Sequence, residues 1–453
     1  MRRWIALSGV LVLTACAAPT RDTASRTMIA ETTLPPMKMF TARAPEAPVP
    51  SNRALVRDFL DLSFALESGK ALPVFTRFEG PISLRVTGRS TLTLMPDLNA
   101  LLGRLRTEAG IDVSLTEQAD ASITIEAVPR AMIRKTLPQA ACFVAPNVSS
   151  MAEFRKNRRN PRSNWATLKT RQQLVIVVPS DVSPQEIRDC LHEELAQALG
   201  PLNDLYRLPN TVFNDDNVHT VLTRFDMLIL RATYAPELAS GMTRGDVESR
   251  LPAIFARINP DGRSIAAPKV TPTPQSYVRA IQRALGPDAS RSTRVAAADD
   301  ALRIAIEEGW QDGRRGFAHY AKGRALQAED PVAAYAQFTQ ARAVYARSPA
   351  TRLHRAHIST QLAAFALASG DPALARALVT PHIAVARDAQ NAALLTTLQL
   401  IEAEALEAEN RLSQASILRL DSLGWARYGF GADWAVELKL REISALNPSA
   451  PPV

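Results

Sequence analysis

The chain has 453 residues, 46% hydrophobic and 22% charged, which is the composition of a folded protein with material for two or three domains. Its formal charge is +8, from 53 Lys and Arg against 45 Asp and Glu. That excess is modest and diffuse for this length and excludes nucleic-acid binding carried by bulk charge.

Arg2 and Arg3 precede an apolar run from Trp4 to Leu13, so residues 1–15 read as a targeting signal and not as structure. Leu13-Thr14-Ala15-Cys16 resembles the lipobox of bacterial lipoproteins. The resemblance implies cleavage before Cys16, lipidation of Cys16 and an anchor of acyl chains instead of a spanning helix. Loss of Arg2 and Arg3 would lower the charge from +8 to +6. Ala17 stands where an inner-membrane retention signal usually has Asp, which points to the cell envelope and the periplasmic face of the outer membrane. An ordinary secretory signal is the other reading. Residues 16–50, with Pro35, Pro36, Pro45, Pro48 and Pro50, are expected as an extended Pro-rich tether.

Residues 51–260 are expected to form the first domain. Leu55, Phe59, Leu62 and Leu66 give residues 51–67 an apolar stripe near the helical period. Residues 81–86 and 121–128 alternate as strands, with a helix over 96–108 between them that ends at Gly110. Phe154-Arg155-Lys156-Asn157-Arg158-Arg159-Asn160-Pro161-Arg162 is a basic stretch inside an expected insertion. It reads either as a solvated loop or as a contact for lipid phosphates or envelope polysaccharide. The apolar run Leu174 to Val178 predicts a buried strand.

The most informative stretch follows that strand. Ser183, Pro184 and Glu186 predict an N-cap, a first-position Pro and a capping box, and Gly200 predicts the helix end. Glu193 and Gln197 share a face, with Glu194 one step round. One disulfide between Cys142 and Cys190 is the economical reading, with two unpaired buried thiols as the other, and their spacing does not choose between these.

Glu193-Glu194-x-x-Gln197-x-x-Gly200-x-x-Asn203 resembles the zinc motif HExxHxxGxxH of the metzincin peptidases. The resemblance implies an α+β zincin-like domain in which Glu194 matches the general base and Gly200 the turn. Glu193, Gln197 and Asn203 stand where the three His ligands belong, and reading from His192 fails because Ala196 occupies the second ligand position. One carboxylate and two amide oxygens are a poor tetrahedral donor set, better suited to a hard cation. The expectation is therefore no metal and no cofactor, with a divalent metal as the alternative. Glu193, Gln197, Asn203 and Asp204 are then binding residues, and Glu194 is catalytic only if the site is active. Thr211-Val212-Phe213 falls where metzincins have their Met-turn, and residues 222–234 resemble the closing helix. The Cys before Glu-Glu-x-x-Gln-x-Leu-Gly, Asn203-Asp204 and Phe213-Asn214-Asp215 together resemble an uncharacterised family of bacterial envelope proteins, a domain of unknown function, over about 142–260.

Residues 261–292 contain Pro268, Pro272 and Pro274 and are expected as a linker. Residues 293–447 are rich in Ala, Leu and Arg and predict an all-α helical-repeat domain. The stretches beginning at Ala325, Ala366 and Ala405 recur at spacings of 41 and 39 residues. They resemble tetratricopeptide-type repeats, which implies a protein or peptide partner; a helical bundle packed on the first domain is the other reading. His354-x-x-His357 is too common a spacing to mark a metal site, and residues 424–431 read as the cap of the last repeat. The function expected is a lipid-anchored envelope protein that holds a peptide or envelope polymer. A metal-dependent hydrolase using Glu194 and a purely structural envelope component are the rivals.

Overall fold

The computed structural model describes residues 34–41, 48–287 and 289–448. The expected signal, Cys16 and most of the tether lie outside the described residues.

Helix α1 (Asn52–Ser63) is shorter than the stripe predicts. Phe64 leaves helical backbone geometry, and residues 64–72 fold into a tight turn through Gly69 at φ 80°. The next elements are β1 (Ile82–Gly88), α2 (Leu94–Arg104), β2 (Val113–Leu115), β3 (Ile123–Val128), α3 (Arg130–Thr136), β4 (Phe143–Pro146), α4 (Met151–Asn157), β5 (Leu174–Pro179) and α5 (Pro184–Leu199). Helix α2 widens into a π turn, Leu105–Ala109, that stops at Gly110 with φ 71°. The basic stretch is not a plain loop: Phe154 to Asn157 belong to α4, and Asn160 caps a short helical turn at Pro161–Ser163.

The five strands form one sheet in the order β2-β1-β3-β5-β4. Strands β1, β2, β3 and β5 are parallel, and β4 is an antiparallel edge strand with Phe143 opposite Val177. The apolar run in β5 is continuous because both faces are covered. Leu174, Ile176 and Val178 enter the main core under α1, α2 and α5, while Val175 and Val177 face a smaller cluster with Ile133, Phe143 and Met151. Cys142, just ahead of β4, is disulfide-bonded to Cys190 on α5 across a Cα separation of 5.9 Å.

Helices α6 (Arg224–Thr233) and α7 (Arg244–Ile258) complete this mixed α/β half, each starting with a capping box, Thr223 with Asp226 and Thr243 with Asp246. The expected linker contains a further helix, α8 (Gln275–Leu285). An all-helical region follows: α9 (Arg291–Glu307), α10 (Gly313–Leu326), α11 (Pro331–Tyr345), α12 (Arg352–Ala368), α13 (Pro372–Asp388), α14 (Ala392–Ala408), α15 (Leu412–Phe430) and α16 (Asp433–Ser444). From α8 to α16 each helix packs against the next. The three recurrent stretches coincide with the turns α10–α11, α12–α13 and α14–α15. Asp330 and Asp371 cap helices whose first residues are Pro331 and Pro372.

The two halves meet along α5. Arg188 donates to the Gln390 carbonyl in the α13–α14 turn, and its guanidinium lies 5.1 Å from the Tyr428 ring of α15. Gln185 donates to Asn391 Oδ1 at 3.1 Å and accepts from the Ala393 N–H at 2.9 Å. Tyr428 donates to Asp97 of α2 at 2.7 Å. Gly429 permits this closeness, since a Cβ there would sit 2.6 Å from the Ala393 nitrogen. Part of the expected tether also lies on α15: Phe40 stacks on Trp425 at 4.5 Å, and the Lys38 N–H donates to the Gly424 carbonyl.

The disulfide closes a 48-residue separation between the edge strand and α5. Replacing both cysteines by Ser should lower unfolding free energy by roughly 2–4 kcal/mol. Urea denaturation under non-reducing conditions checks this; an unchanged midpoint contradicts it.

Candidate functional site

Helix α5 starts as the sequence predicts, with Ser183 Oγ accepting from the Glu186 N–H at 3.2 Å. The capping box is only half made, because the Glu186 carboxylate turns to Arg130 at 2.8 Å. At the other end Arg171 is buried and donates to the carbonyls of Gln197 at 2.6 Å, Ala198 at 2.7 Å and Gly200. These last carbonyls have no partner within the helix, so the guanidinium satisfies them and places positive charge at the negative end of the helix dipole. Burial lowers its pKa to about 10, still charged at neutral pH. A Cβ on Gly200 would lie 3.1 Å from Thr233 Oγ1, a tight approach to α6 that Gly relieves.

The loop after α5 is fixed from below. Asp226 accepts from Thr211 Oγ1, from the Val212 N–H at 3.3 Å and from the Thr223 N–H at 2.7 Å. Tyr234, at the end of α6, donates to the Leu199 carbonyl at 3.0 Å. Burial raises the Asp226 pKa to about 6, against the lowering effect of those hydrogen bonds.

Within this frame Glu193, Glu194, Gln197 and Asp204 line one open cleft of about 520 Å³. Cys142, Phe143 and Val144 of the β4 edge line it too, as does Trp165. Asn203 is not in that group: its amide donates to the Asp61 carbonyl at 2.9 Å and ties the loop to α1. Two further carboxyls that the motif did not indicate join the cleft, Glu67 from the turn after α1 and Asp215 from the loop ahead of α6. None of the basic residues between Arg155 and Arg162 lines it.

The electrostatics follow from crowding carboxyls where water is scarce. Glu194 is 5% exposed and its Oε2 has no hydrogen-bond partner. Burial, then the Glu193 and Glu67 charges, hold its pKa well above the carboxylate range. Glu193 is pushed up to about 8 by burial, Asp215 and Glu67. Asp204 is raised well above its usual value by burial and by Glu67, Glu193 and Asp215. Glu67 belongs to an exposed turn, but its carboxyl is drawn into the cluster by a hydrogen bond with Asp204, a contact that requires one of the pair to carry a proton. Asp215 is raised by burial although Tyr206 donates to it at 2.9 Å and Gln282 at 3.4 Å.

The zinc implied by the motif does not fit these residues. Glu193 offers a carboxylate, Gln197 an amide, and the Asn203 amide is engaged elsewhere. His192 accepts from the Leu222 N–H at 3.1 Å, and burial holds its pKa well below the usual value, so it is a neutral core histidine. Among the described residues no three His, Cys, Asp or Glu side chains stand together to hold a metal ion. That includes the seam where His354 meets Asp216 at 2.8 Å and His219 lies 5.9 Å from His354, ring to ring.

A mixed α/β domain with an acid-lined cleft beside its edge strand is the class of protein that fold and site define. Residues 52–253 match the family model described as "Protein of unknown function (DUF2927)". The match takes in α1 and the whole sheet, beyond the stretch that the motifs marked. No curated protein matches the chain.

The raised carboxyl pKa values set the sign of a pH dependence. A group whose pKa is higher folded than unfolded keeps its proton when the unfolded chain loses it, so its stabilisation is full below the unfolded value and lost as pH rises to the folded one. For Glu193 that window runs from 4.5 to about 8. The melting temperature should fall between pH 5 and pH 8.5, and Glu193→Gln should flatten part of the fall. A wild-type melting temperature that rises over this range contradicts the assignment.

Proposed function

We propose that the protein is a lipoprotein held by Cys16 on the periplasmic face of the outer membrane, whose zincin-like domain holds a ligand without cutting it. The ligand is an extended peptide or an envelope polymer lying in the cleft of Glu193, Glu194, Gln197 and Asp204. The observation that carries this reading is that edge strand β4 and the α5 carboxyls line the same open cleft. An extended chain can pair with a strand edge through its backbone while side groups reach the pocket beside it. The zincin likeness rests on the motif of α5, which follows directly on the buried strand β5. With one carboxylate and amides in place of imidazoles, no zinc activates a water for Glu194.

The C-terminal helices, similar to tetratricopeptide-type repeats, present a surface for a second protein. Support comes from the recurrent stretches falling at successive helix turns and from the neighbour-to-neighbour packing.

One observation favours a second reading, a hydrolase. Glu194 lines the cleft with a raised pKa and a buried, unpartnered Oε2, beside other carboxyls of raised pKa, as a general acid or base would.

Elemental analysis of the purified protein, run beside a peptide screen of wild type and Glu194→Ala, separates the two. The binding reading expects no stoichiometric metal and retention of peptides without new amino termini. A stoichiometric metal lost on Glu193→Ala, with cleavage lost on Glu194→Ala, establishes the hydrolase. For the anchor, Cys16→Ser should move the protein from the membrane fraction to the soluble one; a variant that stays with membranes contradicts lipidation.

A further inference from the structure

The acid cleft is one end of a longer depression. Beyond Asp215, Asn217, Gln139 and Gln282, which border both parts, lies a cavity of about 1260 Å³ between the loop ahead of α6 and helices α8 to α10. Its lining adds basic side chains to Asp215 and Asp216. Arg283, Arg294 and Arg324 line it, and none of the three has a carboxylate partner among the described residues. A fourth, Arg291, pairs with Glu329 at 2.6 Å. Between them Phe317 and Tyr320 stack at 5.9 Å with ring planes 19° apart, an apolar wall for whatever lies in the groove. The space exceeds what a small metabolite fills and suits an extended chain.

The geometry points to a groove with electrical polarity: the ligand is a short zwitterionic peptide, its ammonium group among Glu193, Glu194 and Asp204 and its carboxylate on Arg283 and Arg324. This rests on the peptide reading of the cleft and goes further, fixing direction and end chemistry. Acidic side chains alone would not mark a site. Here Glu194, which lines the cleft, is buried to 5% exposure, and its Oε2, like Asp204 Oδ1, is a buried oxygen without a hydrogen-bond partner. Such oxygens are costly to bury and gain most from a cationic donor. The arginines complement them, because a guanidinium binds a carboxylate through two parallel N–H donors. Gln282 marks the junction, donating to Asp215 at the edge of both parts. Neutral polysaccharide would use neither charged end.

The test uses the full chain, immobilised, and pools of peptides three to eight residues long randomised over uncharged amino acids. Each pool is made in four forms: both ends free, amino end acetylated, carboxyl end amidated, and both blocked. Retention is read by mass spectrometry. The expected result is that the free form is retained best and that blocking either end weakens retention by about tenfold or more. In Arg283→Glu/Arg324→Glu, two exposed positions, amidation should cease to matter while acetylation still does. In Glu194→Gln the converse should hold. Equal retention of all four forms, or loss of both preferences together in the arginine variant, overturns the polarity while leaving peptide binding intact. Retention of none removes the peptide reading as well.

Discussion

Helix α5 is closed in from both flanks, and most of the molecule can be understood from that constraint. One flank carries Leu191, Leu195 and Leu199 into the core under the sheet. The other sends Gln185 and Arg188 into the α13–α14 turn and against α15. Arg171 takes up the last carbonyls, and the Cys142–Cys190 bond ties the helix to the edge strand. The remaining direction is the cleft, and Glu193, Glu194 and Gln197 line it. Two adjacent glutamates on a helix so enclosed cannot both be well solvated, and their raised pKa values are the consequence.

The same enclosure explains how the cluster is tolerated. A buried carboxylate without a partner is expensive, and proteins answer by pairing it or by keeping it protonated. Both devices operate here: Asp215 accepts from Tyr206 and Gln282, burial holds the Glu67 and Asp204 pKa values up, and Glu193 holds its proton to about pH 8. A cationic guest would replace these compensations with direct ion pairs. The cleft therefore combines buried carboxyls of raised pKa with an open mouth.

Local chemistry made much of this legible in the sequence. Ser183, Pro184 and Gly200 bracket α5 because caps and breakers act within a few residues. The run Leu174 to Val178 is a strand buried on both faces, and the helix expected within 222–234 is α6. The parts that escaped depend on distant partners. Glu67 and Asp215 reach the cluster from opposite sides of α5 in sequence; Glu67 has no local signature, and Asp215 was marked only by the family resemblance of Phe213-Asn214-Asp215. Arg171 looks like any loop arginine until the carbonyls it serves are known, and Asn203, one step from Asp204, turns to Asp61 because α1 lies there. Within the linker expected over 261–292 the prolines precede α8 and do not interrupt it. The short strands β2 and β4 carry too few residues for an alternation to show.

The central claim is that α5 holds its two glutamates in a desolvated cleft that keeps them protonated near neutrality. A carboxyl-carbon NMR titration of the intact protein, assigned with Glu193→Gln and Glu194→Gln, measures this directly. The account predicts two resonances that titrate well above the ordinary glutamate range, the one assigned to Glu193 near pH 8. Two ordinary midpoints near 4.5 would show carboxylates in contact with water and would contradict it.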